Sequence, residues 1–268
     1  MNFSPLYSDR ILASGFLISS GKPYTCQLLD EKHLPAVMKL QSTIIENLAP
    51  AQKNFILPKT AAEFSGFLTK DKGLMVGVVS EGRLIAQGLL YWPTDTGPGS
   101  GMTDCPNWPG TTARSAVIMG MLVDPQERGN NLQQILQQVR VNLAKRYNRQ
   151  EILGETSAAN AFSLINAMQA GAYVVSAGRD PEDGCQLLNF RFSHTHQPQL
   201  TQKPATILSL ATQFNQISRA LATGKVVGVG VTPDKSLIMR THKGWKPKPA
   251  QQQMAQTRSA ALSFASAV

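Results

Sequence analysis

The residues whose types and spacing point to chemistry are concentrated in Ser115 to Leu136, SAVIMGMLVDPQERGNNLQQIL. An apolar run from Ala116 to Val123 reads as a strand, and Pro125 stops it. The polar turn Arg128-Gly129-Asn130-Asn131 then leads into an amphipathic helix starting near Leu132. A strand that delivers the chain into a helix N-terminus builds an anion site, because the first N–H groups of the helix lack intrahelical partners. The other reactive residue types form no comparable pattern. The three cysteines, Cys26, Cys105 and Cys185, are odd in number and far apart, with no zinc spacing. Free thiols in a reducing compartment are the simplest reading. The histidines at 33, 194, 196 and 242 form no constellation, and His194-x-His196 reads as exposed. No nucleophile motif and no metal site is visible.

The elements that must position this stretch alternate in a readable order. Tyr24 to Leu29 reads as a strand, and Asp30 as the N-cap of a helix carrying Leu34, Val37, Met38, Ile44 and Ile45. Thr60 caps a second short helix, TAAEFSGFL. LMVGVVS and RLIAQGLLYW flank Glu81-Gly82, a strong hairpin signal. A long Gly/Pro-rich loop runs from Thr94 to Arg114, a length usually kept for function or disorder. The helix after Asn131 is expected to bury Leu132, Ile135, Leu136, Val139 and Leu143 and to expose Gln133, Gln134, Gln137, Arg140 and Lys145. Then follow a strand, EILGET, a helix from Asn160 to Ala170 closed by Gly171, and a hairpin of AYVVSAG and QLLNFRFS.

From Thr195 the composition changes. HTHQPQLTQKP reads as a linker, ATILSLATQFNQISRALAT as a helix, and KVVGVGV with SLIMRTH as a further hairpin. The stretch 246–268 is rich in Gln, Ala, Ser and Lys and reads as a mobile tail. No internal repeat is present.

Size and charge bound the function classes. The chain has 268 residues, enough for one large domain or one domain with a small extension. No apolar run is long enough to span a bilayer. ILASGFLIS, at Ile11 to Ser19, follows Asp9-Arg10 without a clear cleavage site and reads as an N-terminal strand or arm rather than a signal peptide. The net charge of +9 is uneven. From Thr195 onward nine Lys and Arg stand against one acid, Asp234. Such a segment either meets an acidic partner, nucleic acid among them, or is a solvated basic face.

Strand–turn–helix alone is an ordinary connection; the order of elements around it adds the meaning. The chain resembles the GNAT acyltransferase superfamily, which transfers acyl groups from acyl-CoA to amines, over roughly Tyr24 to Ser193. The family pattern V-x-P-x-x-R-G-x-G-(I/L)-G-x-x-L stands here as Val123-Asp124-Pro125-Gln126-Glu127-Arg128-Gly129-Asn130-Asn131-Leu132-Gln133-Gln134-Ile135-Leu136. A second family motif appears as Asn160, Ser163 and Gly171. The resemblance implies a fold of class α/β, a GNAT-like mixed central sheet flanked by helices; outside it, the composition and pattern after Thr195 add a small basic α+β C-terminal extension. The expected parts are an N-terminal arm (1–23), the acyltransferase domain (24–193), a linker (194–204), a basic helix-hairpin extension (205–245) and the tail (246–268).

The resemblance also implies a site. The amides of Arg128, Gly129, Asn130, Asn131, Leu132 and Gln133 would cradle the CoA pyrophosphate. Met121, Leu122 and Val123 would offer a strand edge to the pantetheine arm. A bulge at Gly120 would splay the sheet and admit the thioester. Asn160 would contact the cofactor from the other side, with Ser163 in the same motif. Three departures stand out: Asn131 replaces a Gly but tolerates the left-handed backbone; Gln133 replaces a small residue; and Ala167 occupies the position of a Tyr that protonates the departing thiolate in many members. Tyr173 is the substitute acid to consider. Glu155 is the first candidate for the general base and Glu46 the second, against the plain alternative of solvated carboxylates. Tyr91, Trp92 and Trp108 either line an acceptor pocket or pack in the core.

The expectation is therefore an acetyl-CoA-dependent N-acetyltransferase acting on a primary amine, protein or small molecule, by direct attack in a ternary complex. It needs no metal and is expected in the cytoplasm. The alternative is a catalytically degenerate module of the same fold that binds nucleic acid or another acidic partner through its basic extension.

Overall fold

The computed structural model describes residues 11–50, 52, 56–94, 111–180 and 183–247. The chain divides into two compact units, one formed in the described residues by 11–90 with 120–140, the other by 91–119 with 141–247. Two elements, the central strand and the helix after it, run from one unit into the other.

In the first unit β1 (Ile11–Phe16) pairs antiparallel with β2 (Pro23–Leu28), and β2 with β3 (Gly73–Ser80). β4 (Arg83–Tyr91) follows β3, and the C-terminal half of β5 (Ser115–Val123) follows β4. The N-terminal apolar run, read as a strand or arm, forms the strand β1 at the end of the strand order. β3 and β4 are apolar on both faces and almost wholly buried, as a sheet covered on both sides requires. α1 (Leu34–Glu46) and α2 (Ala61–Leu68) supply Val37, Leu40, Ile44, Phe64 and Phe67 to this core. Asp30 does not cap α1 itself; a single 3-10 turn, Glu31–His33, intervenes. Thr60 caps α2 as expected, its Oγ1 accepting from the Glu63 amide at 3.2 Å while Glu63 Oε2 accepts from the Thr60 amide at 2.7 Å.

In the second unit the N-terminal half of β5 pairs parallel with β6 (Glu151–Ser157). β8 (Gln186–Ser193) pairs antiparallel with β6, and β7 (Tyr173–Arg179) with β8. α3 (Leu132–Arg146), whose residues from Val141 belong to this unit, and α4 (Ala161–Gln169) occupy the places read for them.

The stretch after Thr195 differs from its reading in three ways. His196–Leu200, read as linker, is a strand, β9. The expected long helix breaks into β10 (Thr206–Ser209), a turn, and α5 (Phe214–Ala222). Ile207 and Leu208 pair with Ile238 and Leu237 of β12 (Ser236–Pro247), and the Gln213 side chain accepts from the Ser209 amide at 3.0 Å. Strand pairing and that local turn outcompete helix propensity here. The third difference is continuity. β11 (Val226–Val231) pairs with β7 through Gly228 and Val174, and with β12, so the basic segment extends the same sheet. Phe214, Ile217, Leu221, Leu237 and Met239 share one core with Leu164, Val174 and Leu188.

Candidate functional site

The turn that opened the sequence reading is built as follows. β5 leaves the sheet at Val123, and the Asp124 amide donates to Ile85 O at 2.9 Å, fixing the exit. Asp124 Oδ1 accepts from the Gln126 amide at 2.9 Å and shapes the short turn Pro125–Glu127. Asn130 is buried: its Oδ1 accepts from the Ser19 amide at 2.8 Å and its Nδ2 donates to Glu127 O at 3.0 Å. The Asn130 side chain is therefore a structural pin that ties the turn to the segment after β1. Gly129 (φ 86°) and Asn131 (φ 56°) are both left-handed, and both are exposed. The substitution of Asn for Gly at 131 is tolerated as the conformational argument required. A Cβ on Gly129 would meet nothing within 4 Å, so the backbone here faces open space. Leu132 is buried at the start of α3, and Gln133 is half-buried with its own polar interaction.

Two acids, Asp124 and Glu127, flank this turn and would repel an anion. Arg83, the first residue of β4, pairs with both carboxylates at 2.5 Å. Arg128 itself is exposed. The turn has an open backbone at a helix start, with the nearby acid charge neutralised by Arg83.

β5 supplies the second element of the site. Its parallel pairing covers Ser115–Ile118 against Glu151–Gly154. At Gly120 the backbone turns left-handed (φ 42°), and Met121 and Val123 are half-buried while Leu122 is buried. This left-handed residue lies two positions after the pairing with β6 ends; the expected bulge that would splay the sheet there is a proposal.

On the face of the first unit toward which a Gly120 side chain would point lie Leu89 and Lys59; the Cε of Lys59 is 4.0 Å from where a Cβ would sit. Lys59 is held by the buried side chain of Gln41, whose Oε1 accepts from the Lys59 amide at 2.9 Å and whose Nε2 donates to the Lys59 carbonyl at 2.8 Å. Sequence reasoning missed this arrangement. A Gln mid-helix and a Lys before a cap carry no local signal, because their meaning is an 18-residue contact.

The remaining expected residues fall as follows. Glu46 is exposed at the C-terminal end of α1. Glu155 lies on β6 opposite Asn189, keeps contact with solvent, and has its carboxyl pushed above the ordinary range, first by partial desolvation and then by the like charge of Asp180. Asn160 caps α4, its Oδ1 accepting from the Ser163 amide at 3.2 Å. Ala167 is buried, so its position holds no acid. Tyr173 packs edge-on against Trp245 at 5.8 Å, and burial raises its phenol pKa. Tyr91 is buried in the core, whereas Trp92 is half-buried, tilted against Tyr147 (5.3 Å) and under the Arg149 guanidinium (4.8 Å). Trp108 lies outside the described residues. Among the described residues no group of three or more His, Cys, Asp or Glu could hold a metal ion, and no helix is long and apolar enough to cross a membrane.

α3 departs from its reading. Gln137 and Arg140, expected on the solvent face, are buried. The Arg140 guanidinium donates to Leu89 O at 3.0 Å, to Leu136 O at 3.3 Å and to Gln137 Oε1 at 2.8 Å, and reaches Met121 Sδ at 3.3 Å. A helical wheel places a long polar side chain outward, but here carbonyls and an amide satisfy it inside.

No family model matches the chain, and no curated protein matches it. Solved structures do. The GNAT domain of S. lividans PAT is similar over 68% of this chain and 97% of its own, at 16% identity and a TM-score of 0.50. The ribosomal-protein-S18-alanine N-acetyltransferase of Escherichia coli is 16% identical over 63% of this chain and 93% of its own, with a TM-score of 0.47. An N-acetyltransferase of Staphylococcus aureus Mu50 is 14% identical over 63% and 98%, with a TM-score of 0.48. The likeness to the S. lividans domain shows the fold: over the span it covers, this chain has the GNAT architecture, a mixed central sheet flanked by helices.

Proposed function

We propose that the chain is an acetyl-CoA-dependent N-acetyltransferase that acetylates a primary amine by direct attack. The carrying observation is β5 and the turn that leaves it. The strand is paired with β6 only as far as Ile118, breaks stride at Gly120, and ends in an exposed, left-handed turn at the start of a 15-residue helix. On a GNAT fold this is the arrangement that takes an acyl thioester. The backbone of Arg128, Gly129, Asn130, Asn131, Leu132 and Gln133 would hold the pyrophosphate, and Met121, Leu122 and Val123 would pair with the pantetheine amides. Asn160 and Ser163 are proposed as further cofactor contacts from the resemblance.

The amine must lose a proton before its lone pair can attack the thioester carbonyl. Glu155, with its raised pKa, is the proposed acceptor of that proton, and Glu46 is second. The C–N bond forms, a β5 backbone N–H shares the charge that builds on oxygen, and the C–S bond breaks. The thiolate of CoA is a tolerable leaving group, so the loss of the usual Tyr at Ala167 does not bar the reaction; Tyr173 is the proposed acid if one is used.

Calorimetric titration with acetyl-CoA, followed by thiol-release assays over amines and peptides, tests this reading. Saturable binding and amine-dependent CoA release are expected. No binding at millimolar acetyl-CoA would refute it.

A further inference from the structure

Lys59 is the cation that the first unit brings to Gly120. Its Cε lies 4.0 Å from the position of a Gly120 Cβ, and its backbone is clamped on both sides by Gln41, itself buried. A clamped backbone narrows where the four-carbon arm can reach. No carboxylate among the described residues is within ion-pairing distance of its ammonium. Glu63, four residues on, is turned back onto the Thr60 amide and hydroxyl at 2.7 and 2.9 Å. The same face holds a buried polar side chain without a hydrogen-bond partner, while Lys59 itself has, among the described residues, only the through-space charge of Glu63 near it. Gln87, two residues before Leu89 on β4 and therefore on its face, is 1% exposed, and neither of its amide atoms is hydrogen-bonded. A buried donor without an acceptor is costly, and its retention on the face that carries Leu89 points to a ligand that brings acceptors.

We propose that Lys59 selects the acceptor: the amine acetylated by this chain carries a carboxylate close to the reacting nitrogen, as an α-amino acid does. This rests on the transferase reading, which places the thioester beside Gly120. An ammonium there attracts an acceptor carboxylate by a charge-assisted hydrogen bond and repels a diamine or a polycationic peptide. Gln87 Nε2 is a second donor on that face.

The experiment uses the full chain, acetyl-CoA and matched acceptors: L-leucine, L-leucinamide, L-glutamate and putrescine. Rates are referred to the free-amine form, because the amide's amine is the more acidic. Wild type is expected to prefer L-leucine over L-leucinamide. Lys59→Met should raise the KM for L-leucine roughly tenfold, the size expected for losing one charged hydrogen bond, with a smaller effect on kcat. Lys59→Glu should reverse the preference. Three results would each overturn the proposal: preference for the amide or diamine, a ratio unmoved by Lys59→Glu, or no turnover of any carboxylate-bearing acceptor although acetyl-CoA binds. Failure of acetyl-CoA to bind sinks the transferase reading as well, which separates the two. Thermal unfolding of both variants, expected to match wild type closely, distinguishes lost recognition from lost folding.

Discussion

Glu155 and Arg83 show what single residues contribute. Glu155 holds its proton more tightly in the fold than an ordinary carboxyl does, because desolvation and then Asp180 both work against the carboxylate. A carboxyl with a raised folded pKa supports stability at low pH, and that support is lost as pH rises through the raised value. Glu155→Gln should therefore gain thermal stability relative to wild type as pH increases, with the two chains nearest at acid pH; a constant difference across the range would deny the shift. If Glu155 is also the base, the same substitution removes the rising acid limb of the pH–rate profile. Arg83 would act on the proposed cofactor through the two acids it neutralises. Arg83→Ala leaves Asp124 and Glu127 unneutralised beside the turn. Acetyl-CoA binding by calorimetry should weaken roughly three- to tenfold, with a smaller loss in high salt because the effect is screened charge.

At the scale of elements, α3 holds a charge where its pattern implies none. Arg140 is fully buried, its pKa pulled down to about 9 by burial, with the nearby Cys26 thiol working in the opposite direction. The Cys26 thiol is itself pushed up to about 12 by the same burial, partly offset by Arg140. Truncation with Arg140→Ala strands Gln137 Oε1 and the Leu89 carbonyl and opens a cavity. It should cost about 3–5 kcal/mol in urea unfolding. Arg140→Met fills the volume and should cost distinctly less. Equal losses would mean that the hydrogen bonds, not packing, are what Arg140 supplies. Because Arg140 reaches Met121 on β5, the helix also helps hold the strand edge proposed for pantetheine.

At the scale of the whole chain, the described residues from His196 to Pro247 belong largely to the sheet. β11 continues from β7, α5 fills the core beside Val174 and Leu188, and the buried Glu151 carboxylate gathers Arg191 (2.8 Å) and the Ser193 hydroxyl (2.7 Å), while Arg191 lies 3.6 Å beneath the Trp245 ring. Cutting the chain after Ser193 would expose Leu164, Val174 and Leu188 and remove the ring covering Arg191. The truncated chain is expected to be insoluble or molten, read by loss of near-ultraviolet dichroism. A cooperative, well-folded truncation would show the extension to be an independent module.

Local signals in the chain were enough for the hairpin at Glu81-Gly82, the Thr60 cap, the left-handed turn at Gly129 and Asn131, and the order of strands and helices through Ser193. Each depends on neighbours a few residues apart, where backbone sterics and periodicity act directly. What only the tertiary structure decided depends on distant partners. Strand pairing turned part of an expected helix into β10 and a linker into β9. Carbonyls from β4 and α3 made the interior habitable for Arg140. An 18-residue clamp from Gln41 set Lys59 beside Gly120. Periodicity assigns a residue to an element, but the charge or hydrogen bond that gives it a role comes from a partner that the fold supplies.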